Sequence, residues 1–152
     1  MKNIMKDHVI SIVIIDDHPV ISHGLRGIFS KAEQLFVAGE AKDANEALDV
    51  VSNTTPDIII LDISLGGSDG IDLIESLLDV SPLTKIIMYT MHYNKDLVVW
   101  SLQAGAKGYM LKSDKTADLV QAVIEVFQGQ IHLSASIPST ILADVTTGHK
   151  NS

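Results

Sequence analysis

DIIILDISLGGSDGIDLI, residues 57–74, decides the fold. Residues 57–61 are a short apolar run with three consecutive isoleucines. Such a run is too short for a helix of ordinary length and is rich in β-branched side chains, so it reads as a strand buried on both faces. A carboxylate, Asp62, follows where the apolar run stops. Residues 64–70 hold three glycines and read as a loop. Ile71, Ile74, Leu77 and Leu78 then recur at helical spacing up to Val80, and Pro82 ends that helix. The stretch is therefore one β–α unit with an acid at the junction.

The same unit repeats in both directions. Upstream, residues 9–15 (VISIVII) form another buried strand, followed by Asp16, Asp17 and Pro19. Pro19 suits the first turn of a helix over 20–31, whose apolar face is Ile21, Leu25, Ile28 and Phe29. Residues 35–41 (LFVAGEA) are a weaker strand. Asp43 and Glu46 make a capping-box pattern ahead of a stripe of Ala44, Ala47, Leu48 and Val51, which Thr54, Thr55 and Pro56 break. Downstream come a strand at 85–89 (KIIMY), a helix at 96–104 ended by Gly105, and a short strand at 108–111 (GYML). In the last helix Leu119, Ala122, Val123, Val126 and Phe127 follow the i, i+3, i+4, i+7, i+8 pattern, and Gly129 closes it. Five β–α units in strict alternation imply an open α/β sheet of parallel strands with helices on both faces. From Gln130 the pattern weakens. Residues 136–145 are expected to form one more short helix, with Pro138 near its start, and 146–152 (TTGHKNS) read as a disordered polar tail.

Composition bounds the function. The 152 residues fit one domain and a short tail, and 46% apolar residues supply a core. Lys and Arg total 11 against 19 Asp and Glu, a formal charge of −8. That makes the chain a poor binder of duplex DNA by itself, because phosphate contacts need clustered Lys and Arg. Without cysteine there is no disulfide, thiolate metal site or Cys nucleophile, which is compatible with a reducing cytoplasm. The N-terminal apolar run is broken by Ser11 and stopped by Asp16, so no membrane span or export segment is expected.

In an open parallel sheet the functional crevice lies beyond the carboxyl ends of the strands. There the sequence places Asp16 and Asp17, then Asp62, Thr90 and Lys112, after four of the five strands. Each alone has an ordinary reading, as a helix cap, a strand end or a solvated lysine. Together they bring three carboxylates, a hydroxyl and an ammonium to one edge. Clustered carboxylates repel without a counter-charge, and a hard divalent cation supplies one, which for oxygen ligands with room for water suggests Mg²⁺. A nucleophilic carboxylate, Mg²⁺, an ammonium and a hydroxyl suit phosphoryl transfer, where positioning and charge neutralisation do most of the catalysis.

IIDDHPVISHGL, DIIILDISLGGSDGIDLI, IIMYTMH and AGAKGYMLK resemble the receiver domains of bacterial response regulators, in the NarL/FixJ branch that usually carries a LuxR-type DNA-binding domain. The likeness spans residues 9–129 and extends loosely through a linker to 145. It implies a flavodoxin-like (βα)5 fold with strand order 2-1-3-4-5, an extension at 1–8, a receiver at 9–129, and a linker and tail at 130–152. It implies that Asp62 accepts a phosphoryl group from a phosphohistidine on a sensor histidine kinase. It further implies that Asp17 binds Mg²⁺ directly and Asp16 mainly through water, with the backbone carbonyl of Ser64 as another ligand. Lys112 would pair with the acyl phosphate, Thr90 would give its hydroxyl to a phosphoryl oxygen, and Tyr109 would change rotamer with it. The implied protein is cytoplasmic and not a turnover enzyme. It forms a homodimer on phosphorylation and reaches DNA only through a helix-turn-helix output domain that these 152 residues do not contain. A stand-alone receiver is the alternative. The chain departs from the family at Leu65-Gly66-Gly67, where a Met-Pro pair is usual, which should loosen the loop beside the acceptor.

Two other classes compete. Aspartyl-phosphate hydrolases carry a second Asp two residues after the nucleophile, and that position is Ser64 here. A flavodoxin-like nucleotide binder needs a phosphate cradle after the first strand, where Asp16 and Asp17 would repel phosphate. The six histidines lack metal spacing: His18 and His23 are five apart, and His8, His132 and His149 read as surface or tail residues. His92, two residues after Thr90, is placed at the rim of the site. Trp100 falls outside the apolar face of Val98, Val99 and Leu102, so it is expected to be exposed and available to a partner.

Overall fold

The computed structural model describes residues 9–65 and 68–150. The main elements are β1 (Ile10–Ile15), α1 (Pro19–Ser30), β2 (Leu35–Ala41), α2 (Ala44–Thr54), β3 (Ile58–Leu61), α3 (Gly70–Val80), β4 (Lys85–Thr90), α4 (Lys95–Ala104), β5 (Gly108–Leu111), α5 (Thr116–Phe127), β6 (His132–Leu133) and α6 (Ile141–Lys150). The sheet runs β2-β1-β3-β4-β5-β6, and every neighbouring pair is parallel.

Period-two alternation along the strands sorts the core onto two faces. Val13, Ile15, Ile59, Leu61, Ile86, Met88 and Tyr109 face one way and pack with Val51, Leu73, Ile74, Leu77, Val98, Ile137 and Ile141. Ile12, Ile14, Ile58, Ile60, Ile87 and Met110 face the other way and pack with Leu25, Phe29, Leu119, Val123 and Val126. This is why the central strands are apolar without interruption: both faces are covered by helices.

The helix ends follow local chemistry. Glu46 N–H donates to Asp43 Oδ1 at 2.8 Å, and Lys42 N–H donates to Glu46 Oε1 at 3.0 Å, closing the start of α2. Asn94 caps α4 through Asp96 and Leu97 N–H. Gly105, at φ +120°, ends it.

The open parallel sheet and the order of its first five strands match the sequence expectation. Three details differ. The sheet has a sixth edge strand, β6, whose two residues are too few to show any periodicity. Residues 146–150 of the polar tail are helical rather than irregular: the backbone of α6 continues to Lys150, and the helix begins at Ile141, five residues later than expected. The glycine loop is partly paired, Ser64 with Asp69 and Leu65 with Ser68, in an antiparallel two-residue ladder. Gly66 and Gly67, like the extension at 1–8, lie outside the described residues. Among the described residues no helix is long and apolar enough to cross a membrane.

Candidate functional site

Backbone bonds bring the acids together. Asp62 N–H donates to Ile15 O and Asp16 N–H to Ala41 O, so the residues that end β1 and β3 stand side by side. Lys112 N–H donates to Thr90 O at 2.7 Å, which ties the ends of β5 and β4 in the same way. Gly70 N–H closes the loop after Asp62 by donating to Ile63 O at 2.7 Å. A Cβ at Gly70 would come within 2.3 Å of the Asp62 carbonyl oxygen, so only glycine lets the chain pass so close to the acceptor.

The side chains then form one charged cluster. Lys112 Nζ, almost wholly buried, lies 2.9 Å from Asp16 Oδ2 and 3.3 Å from Asp62 Oδ2. Ser64 N–H donates to Asp62 Oδ1 at 3.2 Å. Asp62 is 3% exposed and Asp16 5%, while the Asp17 side chain keeps 28% of its surface open to solvent. Burial pushes the Asp62 carboxyl above the usual carboxylate range, and the Asp16 charge adds to it, against the pull of Lys112 and the Ser64 N–H. Thr90 is buried at the end of β4. Beside the acids opens a cavity of about 370 Å³, walled also by Ser22, His23, Arg26 and Lys42.

Of the residues expected at the site, Asp16 and Asp62 meet Lys112 directly, Asp17 joins them through the His18 ring, and Thr90 joins through its backbone. Tyr109 is fully buried on β5, and its hydroxyl donates to His92 O at 3.1 Å. Burial pushes its pKa up to about 12. The part that His92 plays in this contact is its carbonyl, since its residue surface is exposed. Trp100 is 53% exposed on α4, as its spacing required. His132 is no loose tail residue: it starts β6, with Nδ1 2.7 Å from Glu125 Oε1.

His18 is the residue that the sequence reading missed. Its Nδ1 stands 2.8 Å from Asp16 Oδ1, 3.1 Å from Asp17 Oδ1 and 3.5 Å from Asp62 Oδ2. The contact with Asp16 holds its pKa above the ordinary histidine value. Histidine spacing does not reveal it, because its partners are carboxylates contributed by two different strand ends.

The cluster fits a hard divalent cation. Asp16, Asp17, His18 and Asp62 each offer a donor atom, all within 4.8 Å of one another. Asp62 Oδ2 is buried with no well-formed hydrogen bond and meets only the charges of Lys112 at 3.3 Å and His18 at 3.5 Å. An oxygen-rich set in which Asp17 and His18 face solvent leaves room for water ligands.

Residues 12–124 match the family model described as the response regulator receiver domain. The chain is 38% identical over 138 residues to the uncharacterized transcriptional regulatory protein YhcZ of Bacillus subtilis (strain 168), covering 91% of this chain and 64% of that protein. The chain thus spans less than two thirds of that relative's length. The crystal structure of a LuxR-family two-component response regulator from Aurantimonas sp. SI85-9A1 superposes with a TM-score of 0.79 at 30% identity, covering 93% of this chain and 99% of that one. A structure of two RcsB dimers bound to two parallel DNAs gives a TM-score of 0.78 at 26% identity, covering 91% of this chain and 68% of that one.

Proposed function

We propose, from the premise that the chain belongs to the response regulator receiver domain family, that Asp62 takes a phosphoryl group from a phosphohistidine of a sensor kinase. The observation that carries this reading is the position of Asp62, buried between the acids that follow β1 and the ammonium of Lys112. A carboxylate oxygen of Asp62 attacks phosphorus. The new O–P bond forms as the P–N bond to the donor imidazole breaks, and the electron pair returns to that nitrogen. Lys112 neutralises charge on the transferred group, and the Thr90 hydroxyl donates to one of its oxygens. Asp17, Asp62, Asp16 through water and the Ser64 carbonyl would hold Mg²⁺, which when bound offsets charge on the phosphoryl oxygens. Ser64, where a hydrolase would carry its acid, supports slow loss of the phosphate rather than turnover.

New charge at Asp62 biases the nearby contacts of Thr90, Tyr109 and α4. We assign residues 130–152 to a linker and tail leading to a DNA-binding output domain, in a cytoplasmic regulator that pairs with a second copy when phosphorylated. The dimeric state of RcsB on DNA supports that pairing. Exposed Trp100 is a candidate contact for the partner. Incubation with Mg²⁺ and phosphoramidate, a small P–N donor, tests the chemistry. One slowly lost, hydroxylamine-sensitive phosphate per chain is expected. Multiple turnovers, or no labelling with Mg²⁺ present, would contradict it.

A further inference from the structure

We infer that His18 is itself a metal ligand of the acidic edge, and that it tilts this receiver toward late first-row ions such as Co²⁺, Ni²⁺ or Zn²⁺ relative to Mg²⁺. The inference rests on the metal site proposed above and concerns which ion that site prefers.

The geometry is already that of a ligand shell. Six donors at about 2.1 Å from an ion stand about 3.0 Å from their neighbours. His18 Nδ1 lies 2.8, 3.1 and 3.5 Å from one oxygen each of Asp16, Asp17 and Asp62, values that bracket that spacing. An ion held by Asp17 and Asp62 therefore lies within reach of His18 Nδ1 as well, with Asp16 keeping its water-mediated place. The ring is also held there by the chain. His18 N–H donates to Asp16 Oδ1 at 2.9 Å, which fixes the turn, and Pro19 fixes the exit into α1. His18 occupies the N-cap position of α1, yet its side chain makes no capping bond. The imidazole is turned to the carboxylates instead. Without a metal Nδ1 carries the proton that faces Asp16; a bound ion would displace that proton to solvent and leave the other on Nε2, which has solvent access because the side chain is 57% exposed, so that Nδ1 gives its lone pair to the ion.

The consequence is selectivity. Carboxylates and water suit Mg²⁺, whereas an imidazole nitrogen favours the later divalent ions, whose affinities rise along the series to copper. Replacing one oxygen donor by His18 strengthens the site for Co²⁺ far more than for Mg²⁺.

Calorimetric titration of the 152-residue chain with Co²⁺ and with Mg²⁺, at one pH, tests this. His18→Asn should weaken Co²⁺ binding on the order of tenfold or more, since even outer-shell partners of metal ligands carry about that much affinity. Mg²⁺ binding should stay within the error of the titration. The Co²⁺-loaded wild type should also show a hyperfine-shifted, exchangeable imidazole N–H proton resonance, absent from His18→Asn and from Asp17→Asn. Unchanged Co²⁺ affinity in His18→Asn, or a shifted resonance that survives the substitution, would overturn the inference while leaving the Mg²⁺ site intact. A wild type that binds neither ion would overturn the metal site itself.

Discussion

Asp62 is held where its charge is least comfortable, and the sign of the effect can be worked out. Its folded pKa is raised, so the folded state favours the protonated form. The contribution of this group to stability is present at low pH and is lost as pH rises through the raised value. At neutral pH in chelator, Asp62→Asn should therefore raise the thermal midpoint, and the gain should shrink below the ordinary carboxylate range. A lowered midpoint at neutral pH would contradict this account of the site. Tyr109 gives a second test. Its hydroxyl donates to His92 O, and its pKa is pushed from 10.0 up to about 12. The unfolded chain ionises first, so the wild type loses stability as pH rises between those values. Tyr109→Phe should cost about 1 kcal/mol at neutral pH, the usual size of one net hydrogen bond. That gap should close above pH 10. Most of the site was legible at this scale, because in a parallel sheet the residue after each strand must lie on one edge. His18 was not, because adjacency to Asp17 does not tell where an imidazole ring turns.

Elements were legible in proportion to their apolar period. β1, β3 and β4 announce themselves by isoleucine runs, and α5 by its unbroken stripe. β6 has only His132 and Leu133, and its place on the sheet comes from backbone pairing with Gly108 and Tyr109. α6 is ten residues long, too short to be stable alone in water, so it is held by packing. Ile137 and Ile141 are buried in the same core cluster as Val98, Val99 and Tyr109, and Gln103 donates to Val145 O at 3.0 Å. Ile141→Ala should cost about 2–5 kcal/mol, as for a large buried aliphatic side chain. The Lys95–Asp144 pair at 3.2 Å is exposed on both sides, so Lys95→Ala should leave chemical unfolding nearly unchanged. A large loss from Lys95→Ala and none from Ile141→Ala would reverse this assignment of what holds α6.

At the scale of the whole molecule, the segment after α5 is built into the receiver rather than trailing from it. Ser134 N–H donates to Tyr109 O, and Ser134 Oγ donates to Asp114 Oδ1, in the turn that follows Lys112. The region that would carry the output is thus bonded directly to the strand that carries Tyr109. Trp100 is half-exposed on α4, a helix whose Val98 and Val99 share a core cluster with Tyr109, Ile137 and Ile141. Its fluorescence should change on phosphorylation or on self-association, and sedimentation should show Trp100→Ala associating less than wild type. Unchanged association would remove Trp100 from the partner surface. All of this depends on one covalent event. Intact mass spectrometry of the chain after treatment with Mg²⁺ and acetyl phosphate measures it directly. The wild type should gain the mass of a single phosphoryl group, and Asp62→Asn should gain none. Equal labelling of Asp62→Asn would place the acceptor elsewhere and contradict the account.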